Sequence, residues 1–464
     1  MANMFSNRYS RRAFLRKASK LSALGMATSL TPDLIFAESK VDLAGLEIDY
    51  WNMIGVQNKT VREQSETIVK AFEQRTGCKV NVTWNSYGDI IGPKYRTNFI
   101  GNVRPTVFDT SSRWVGQLRS FMRPLDDFIE SELDADARAG IDWMFPLFRR
   151  QTSGFADASS NYAIPLNLVP QAPYILNRDH FDKAGIDFDA NYPIRDSEHY
   201  VELCKELQAK AGIKYPTEVY GKIWDFADTQ LNGWIRSVDK DTSDFLNADW
   251  TQSNATSDAW MKGVQFYVDV FRKHKLSSPN TPASSDEEAV EQFIFGRKSI
   301  VHCDLLNRGT LLEKMPEQMQ QGRVVWGPHF PLAGGSSGSQ CFLGMNSFHI
   351  VKQEGPDADL KERAAWEFIK EWLRADNALA VSKSSGLTGR RDLWDQLKGS
   401  PDRHIEAAMA TIGDDPGVWT GHPKSVDFQY NLIAPHGQRM LQGEPVEQEL
   451  AAYAKEVNDA LAQG

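Results

Sequence analysis

The sequence has little of what most chemistry-bearing motifs require. Four cysteines stand in 464 residues, at Cys78, Cys204, Cys303 and Cys341, and none forms a Cys-x-x-Cys pair. That spacing excludes a cysteine metal cluster or dithiol redox motif. His302, Cys303 and Asp304 are adjacent, and neighbours on a strand point to opposite faces, which argues against a metal site there. There is no Gly-x-Ser-x-Gly elbow, no His-Glu-x-x-His and no phosphate loop. Gly334-Gly335-Ser336-Ser337-Gly338 has no helix start behind it, so it does not read as a phosphate cradle. Asp126-Asp127 reads as a solvated helix start rather than a glycosidase carboxylate pair. No cofactor is expected. Basic excess is also missing: 52 Lys and Arg face 61 Asp and Glu, for a net charge of −9. Nucleic acid is therefore not an expected partner. No segment approaches the roughly 20 apolar residues of a membrane span.

What is present begins at the amino terminus. Arg11 and Arg12 precede Phe14 and Leu15, a mixed apolar run follows from Leu21 to Leu30, and Ile35-Phe36-Ala37 ends the stretch. A basic start, a short apolar middle and a small residue before a cut are the order of a signal peptide. The paired arginines resemble a twin-arginine (Tat) export signal. The expectation is a signal over 1–37, a mature chain from about Glu38, and a periplasmic destination reached by a folded chain. The even cysteine count permits disulfides in three pairings. Cys204 falls in an expected helix, and folding in a reducing compartment disfavours bridges; the state stays open. The 41% hydrophobic content and the length allow one large or two medium domains.

Along the chain, GLEIDYWNM reads as a strand, with Leu46, Ile48 and Tyr50 alternating against Glu47, Asp49 and Trp51. VREQSETIVKAFEQRTG reads as a helix whose Ile68, Val69 and Phe72 share a face and which Gly77 stops. CKVNVTWNSY is a second strand, PKYRTNFIGNVRP a polar segment, and TVFDTSSRW a short buried strand. YAIPLNLVPQAPYILNRDHFDKAGID is a proline-rich strand pattern followed by a short helix. SEHYVELCKELQAKAG, DAWMKGVQFYVDVFRKH, LKERAAWEFIKEWL and EPVEQELAAYAKEVNDAL read as helices, and CFLGMNSFHIVK as a strand. In SDEEAVEQFIFGRKSIVHCDLLNRG the order is helix, Gly turn, strand, with a capping box expected from Ser284 to Glu287. The alternation of strands and helices predicts an α/β fold.

Five blocks in this order carry a resemblance: AFEQRTGCKVNV, FDTSSRWVGQL with MRPLDDFI, YAIPLNLVPQAPYILNRDHFDKAGID, AVEQFIFGRKSIVHCD, and SSGLTGRRDLW. Together they resemble the family 1 extracellular solute-binding proteins of ABC importers. Two departures, Thr106 after Pro105 and Thr388 after Ser-Gly-Leu, bear on local loops. The resemblance implies a two-lobed periplasmic-binding-protein fold with discontinuous lobes and a hinge. Residues 38–165 plus 345–380 would form the N-terminal lobe, and 166–344 plus 381–464 the C-terminal lobe. It also implies a small-molecule ligand, expected to be a sugar, a membrane ABC permease as partner, a monomeric state and no catalysis.

Sugars present C–H patches that stack on aromatic rings and hydroxyls that need donors and acceptors. Asp109, Thr110, Ser111, Ser112, Arg113 and Trp114 combine a carboxylate, hydroxyls, a guanidinium and an indole at a strand end; the alternative is helix capping. Trp51 and Asn52 end the first strand; the alternative for Trp51 is a buried strand position. By the resemblance, Trp224 and Asp225 belong to the far lobe's aromatic platform, Asp304 and Asn307 to a strand exit near the ligand, Gly344 and Asn346 to a hinge crossing, and Phe428 and Tyr430 to a second stacking segment. Trp234 reads as a helix-packing residue. Asp109, Asp225 and Asp304 keep a polyamine open as the ligand. A ferric ion would want clustered tyrosines, which are missing. A Tat-exported enzyme is the reading from another class.

Overall fold

The computed structural model describes residues 41–463, except 57, 87–92, 153–154, 156–158, 171–172, 223–225, 227–229 and 336–340. The export signal, Trp224 and Asp225 lie outside the described residues. Among the described residues, nine strands fall into two sheets: β1 Glu47–Asn52, β2 Lys79–Trp84, β3 Val107–Ser111, β4 Ile164–Pro170, β5 Tyr174–Asn177, β6 Ile300–His302, β7 Val324–Gly327, β8 Leu343–Ile350 and β9 Leu387–Thr388. The first sheet has the order β2-β1-β3-β8-β4-β9 and the second β6-β5-β7.

β1, β2 and β3 are parallel, so the chain returns through helices. Helix Lys59–Thr76 makes the first return. Asn58 caps it by accepting from Val61 N, and Gly77 closes it at φ 70°, in the left-handed region open to glycine. Ile68, Val69 and Phe72 face the sheet as expected. The segment read as polar contains a helix, Pro93–Ile100. Its apolar signal is only Tyr95 and Phe99, one turn apart, and both are buried.

The expected helices over 178–184, 197–210, 258–272, 358–373 and 446–462 are present. The capping box lies one residue later than expected: Ser285 and Glu288 bond reciprocally at the start of helix Asp286–Ile294. Two serines are followed by two glutamates at the same spacing, so the sequence alone does not fix which pair is used. Asp126 and Asp127 do start a helix, Asp126–Glu132. All four cysteines are buried and unbridged.

β8 leaves the second half of the chain and inserts between β3 and β4, antiparallel to both. β4 therefore spans the 165/166 point where the sequence division changed lobe. By sheet membership, Leu166–Pro170, Leu343–Gly344 and Leu387–Thr388 belong with the N-terminal strands. Leu387, Trp394, Leu397, Ile405 and Ile412 also pack in the first sheet's core. The second core gathers Tyr174, Tyr200, Trp234, Trp260, Phe330, Phe342 and Trp419. Trp234 packs inside helix Gln230–Val238, as expected.

Candidate ligand-binding site

Parallel strands deliver their carboxyl ends to one side of a sheet, where α/β folds receive ligands. In the first sheet these ends are Asn52, Trp84 and Ser111, and the residues past Ser111 turn through Ser112–Trp114.

Asp109 sits fully buried in β3 and faces β1. Its carboxylate accepts from the Tyr50 hydroxyl at 2.7 Å, Met53 N at 3.1 Å and Ile54 N at 2.9 Å. Burial pushes its pKa up to about 6, against the opposing pull of these donors. Asn52 is equally committed: its amide donates to Tyr50 and its carbonyl accepts from Gly55 N, each at 2.6 Å. Trp51 is 8% exposed and packs on Tyr95 at 5.0 Å and Phe99 at 5.9 Å. Asp109 and Asn52 therefore hold the turn that follows β1, while Trp51 packs on helix Pro93–Ile100.

Ser111, Arg113, Trp114 and Tyr430 are brought together. Arg113 donates to Ser111 Oγ at 3.2 Å and to the Tyr430 hydroxyl at 2.6 Å. Its guanidinium lies 5.4 Å from the centre of the Trp419 ring, within cation–π range. Trp114 stacks on Tyr430 with ring centres 6.3 Å apart and planes 22° from parallel. Tyr430 belongs to a π-helix, Asp427–Leu432, a rare form often found at functional sites. Trp419 is anchored from the second core, stacking on Phe342 at 4.3 Å. One end of β3 thus meets Trp419, which packs in the second core, while Trp114 and Tyr430 share a cluster with Trp51 and Phe108. The approach is close in the backbone too: a Cβ on Gly116 would lie 1.7 Å from the Gly421 carbonyl oxygen, and Gly421 N donates to the Gln151 carbonyl at 2.8 Å.

The remaining expected residues are placed as follows. Thr110 is buried in β3 opposite Ser347. Asn346 pairs with Ser111 across β3 and β8 and donates to Asn167 Oδ1 at 2.8 Å. Gly344 pairs with Val169 inside the sheet. Asp304 and Asn307 are half-buried on the exit from β6, where Asp304 caps the turn by accepting from Leu306 N at 2.9 Å and Asn307 Nδ2 at 3.4 Å. That turn packs on β4, and Leu305 joins the first core. Phe428 is core. Trp419 escaped the sequence reading: it lies between a proline turn and a glycine, with no periodic pattern around it. Among the described residues no cluster of three His, Cys, Asp or Glu is arranged to hold a metal, and no helix is long and apolar enough to cross a membrane.

The family model of bacterial extracellular solute-binding proteins matches residues 58–301. Solved structures share the fold at low identity. A solute-binding protein of an ABC transporter from Thermotoga lettingae, bound with α-D-tagatose, is 17% identical with a TM-score of 0.72, over 90% of this chain and 100% of that one. Maltose-bound MalE3 of T. maritima is 18% identical with a TM-score of 0.68, over 89% and 100%. The maltotriose-binding protein of Thermus thermophilus is 15% identical with a TM-score of 0.67, over 89% and 100%. The fold is that of the two-lobed periplasmic binding proteins, and the chain belongs to the bacterial extracellular solute-binding protein family.

Proposed function

We propose that this chain is a periplasmic receptor that captures a carbohydrate between its lobes and delivers it to a membrane ABC permease. It performs no chemistry. The observation that carries this reading is the Arg113–Trp114–Trp419–Tyr430 cluster. These side chains are buried against one another; once parted, they would offer aromatic faces for sugar C–H patches and a guanidinium, a phenol and Ser111 for hydroxyls. Trp419 packs in the second core, and Trp114 and Tyr430 share a cluster with Phe108 of β3, so a ligand held between them would touch elements of both. Ligand binding then shifts the population toward the closed form, which the permease recognises. The sugar-bound relatives agree with this ligand class. The paired arginines at 11 and 12 support export of the folded chain by the twin-arginine route to the periplasm.

Ser111, Trp114 and Tyr430, with Arg113 and Trp419, form the contact set we assign. Asp109 and Asn52 position the first lobe's turn, and Trp51 packs on helix Pro93–Ile100; Asn346 and Gly344 shape the crossing strand; Asp304 and Asn307 shape the second lobe's rim. Trp224 and Asp225 complete the aromatic platform in this reading. A thermal-shift and calorimetric screen of the mature chain against mono- and oligosaccharides, polyamines, amino acids and metal ions tests it. A ligand at a hundred times its Kd adds about 2.7 kcal/mol of stability. A response to sugars that Trp114→Ala removes supports the reading. A response to amines or metals alone overturns the ligand class.

A further inference from the structure

At the second sheet, three strand ends meet on one side. β6 ends at His302 and β7 at Gly327, and both run antiparallel to β5, which begins at Tyr174. The carboxyl ends of β6 and β7 therefore flank Tyr174. His302 is 1% exposed. Its ring stands edge-on to Tyr174 at 6.3 Å and to Tyr220 at 6.1 Å. Neither ring nitrogen has a hydrogen-bond partner among the described residues. Nearby, His329 stacks on Tyr174 at 5.8 Å and packs on Trp234 at 5.9 Å, and the Trp234 indole N–H is also unpartnered among the described residues.

Buried polar groups in native proteins are satisfied, and each exception calls for a physical reason. Left dry, such a group costs about 1–3 kcal/mol. Building on the carbohydrate reading, we infer that His302 is a specificity-determining contact of the ligand cleft, exchanging hydrogen bonds with an uncharged hydroxyl of the bound sugar. Its place supports this: Asp304 and Asn307 follow directly on the same strand exit. Burial and the neighbouring His329 hold the His302 pKa down to about 3, so the ring is neutral at working pH. A neutral imidazole carries one donor and one acceptor nitrogen, the complement of a hydroxyl's acceptor and donor. It supplies no counter-charge to an ammonium or a carboxylate. The His302 contact itself therefore favours an uncharged hydroxyl over an ammonium or a carboxylate.

The test compares wild type, His302→Phe and His302→Gln for thermal stability without ligand and for affinity toward maltose, maltotriose and D-tagatose, with spermidine as the charged control. Phe keeps the ring contacts and removes both nitrogens; Gln restores a donor and an acceptor. The expected result is that H302F is at least as stable as wild type without ligand but binds the responding sugar at least ~10-fold more weakly, with H302Q between the two. Unchanged sugar affinity in H302F overturns the assignment, as when an ordered water completes the ring's bonding. A marked loss of ligand-free stability in H302F also overturns it, because the nitrogens would then be serving the fold. If wild type responds to none of the three sugars but does respond to spermidine, the carbohydrate reading itself fails and the hydroxyl assignment fails with it.

Discussion

Replacing Asp109 by alanine separates a scaffold residue from a ligand contact. The carboxylate is fully buried and accepts from three donors, the Tyr50 hydroxyl and the backbone N–H groups of Met53 and Ile54. Truncation strands all three. A buried donor without a partner costs about 1–3 kcal/mol, so stranding three costs about 3–9 kcal/mol, nearer the lower figure if water enters the space. That is large against a domain stability of about 5–15 kcal/mol. Tyr50 also packs edge-on to Phe368 at 5.0 Å, so the disturbance reaches helix Ala358–Leu373. The assay is urea or thermal unfolding followed by circular dichroism, with ligand affinity measured on the same samples below the transition. The expected outcome is a drop of several degrees in Tm, with affinity falling only because the turn after β1 is no longer held. A variant that unfolds at the wild-type temperature yet loses its ligand would refute the reasoning and make Asp109 a direct contact.

Asp109 also gives a pH signature. Its folded pKa of about 6 lies above the ordinary value of 3.8. Folding therefore favours the protonated form, and that contribution is present below about pH 4 and lost as pH rises through about 6. The stability margin of wild type over Asp109→Asn should shrink across this window and stay flat above about pH 7; a margin that grows with pH would contradict the burial argument. Gly116→Ala should lower both Tm and sugar affinity, because the added methyl would meet the Gly421 carbonyl, a backbone atom that cannot swing aside; wild-type values for both would show that the two segments are not held together. Burial raises the pKa of all four thiols, to about 11 at Cys78 and about 12 at Cys341. The native protein should therefore react with a thiol reagent at pH 8 far more slowly than the denatured chain, which should titrate all four cysteines.

How much of this was legible in the sequence follows from where each signal resides. Strand β1 and helix Lys59–Thr76 announce themselves because one face is apolar and the ends carry Asn58 and Gly77. β4 is different: all seven of its residues are buried. A strand covered on both faces has no period, and nothing local says which sheet it joins. Its partners β8 and β9 come from far along the chain, so the lobe boundary had to be drawn from resemblance and fell inside the strand. The proposed site divides the same way. Ser111 to Trp114 could be read because a short apolar strand ends in a cluster of polar and aromatic residues. Of their counterparts, Tyr430 is named only through the resemblance and Trp419 is not read at all. Trp419 is presented by its stack on Phe342, and Tyr430 by a π-helix, whose wider turn no simple periodicity encodes.

The same reasoning explains why Asp109 and Asn52 look like sugar ligands in the sequence and behave as scaffold in the structure. A carboxylate or carboxamide at a strand's carboxyl end can serve a ligand's hydroxyls or the turn's own N–H groups, and the residue type fits both. What decides is the number of local donors. Met53, Ile54 and Gly55 turn sharply after β1 and leave three N–H groups pointing inward, two of them at Asp109 and one at Asn52. Those donors are present at all times, whereas a ligand is present only when bound, so these side chains are fixed before any ligand arrives. Arg113 differs because its partners include the Ser111 and Tyr430 hydroxyls and the Trp419 ring. A sugar also presents hydroxyls, so in this reading it can take the place of the Ser111 and Tyr430 hydroxyls while the Trp419 ring stays as a platform. Recognition in this cleft is therefore expected to run through exchangeable hydroxyl and ring contacts at Arg113, Trp114, Trp419 and Tyr430, with the residues committed to backbone N–H groups setting where those contacts stand.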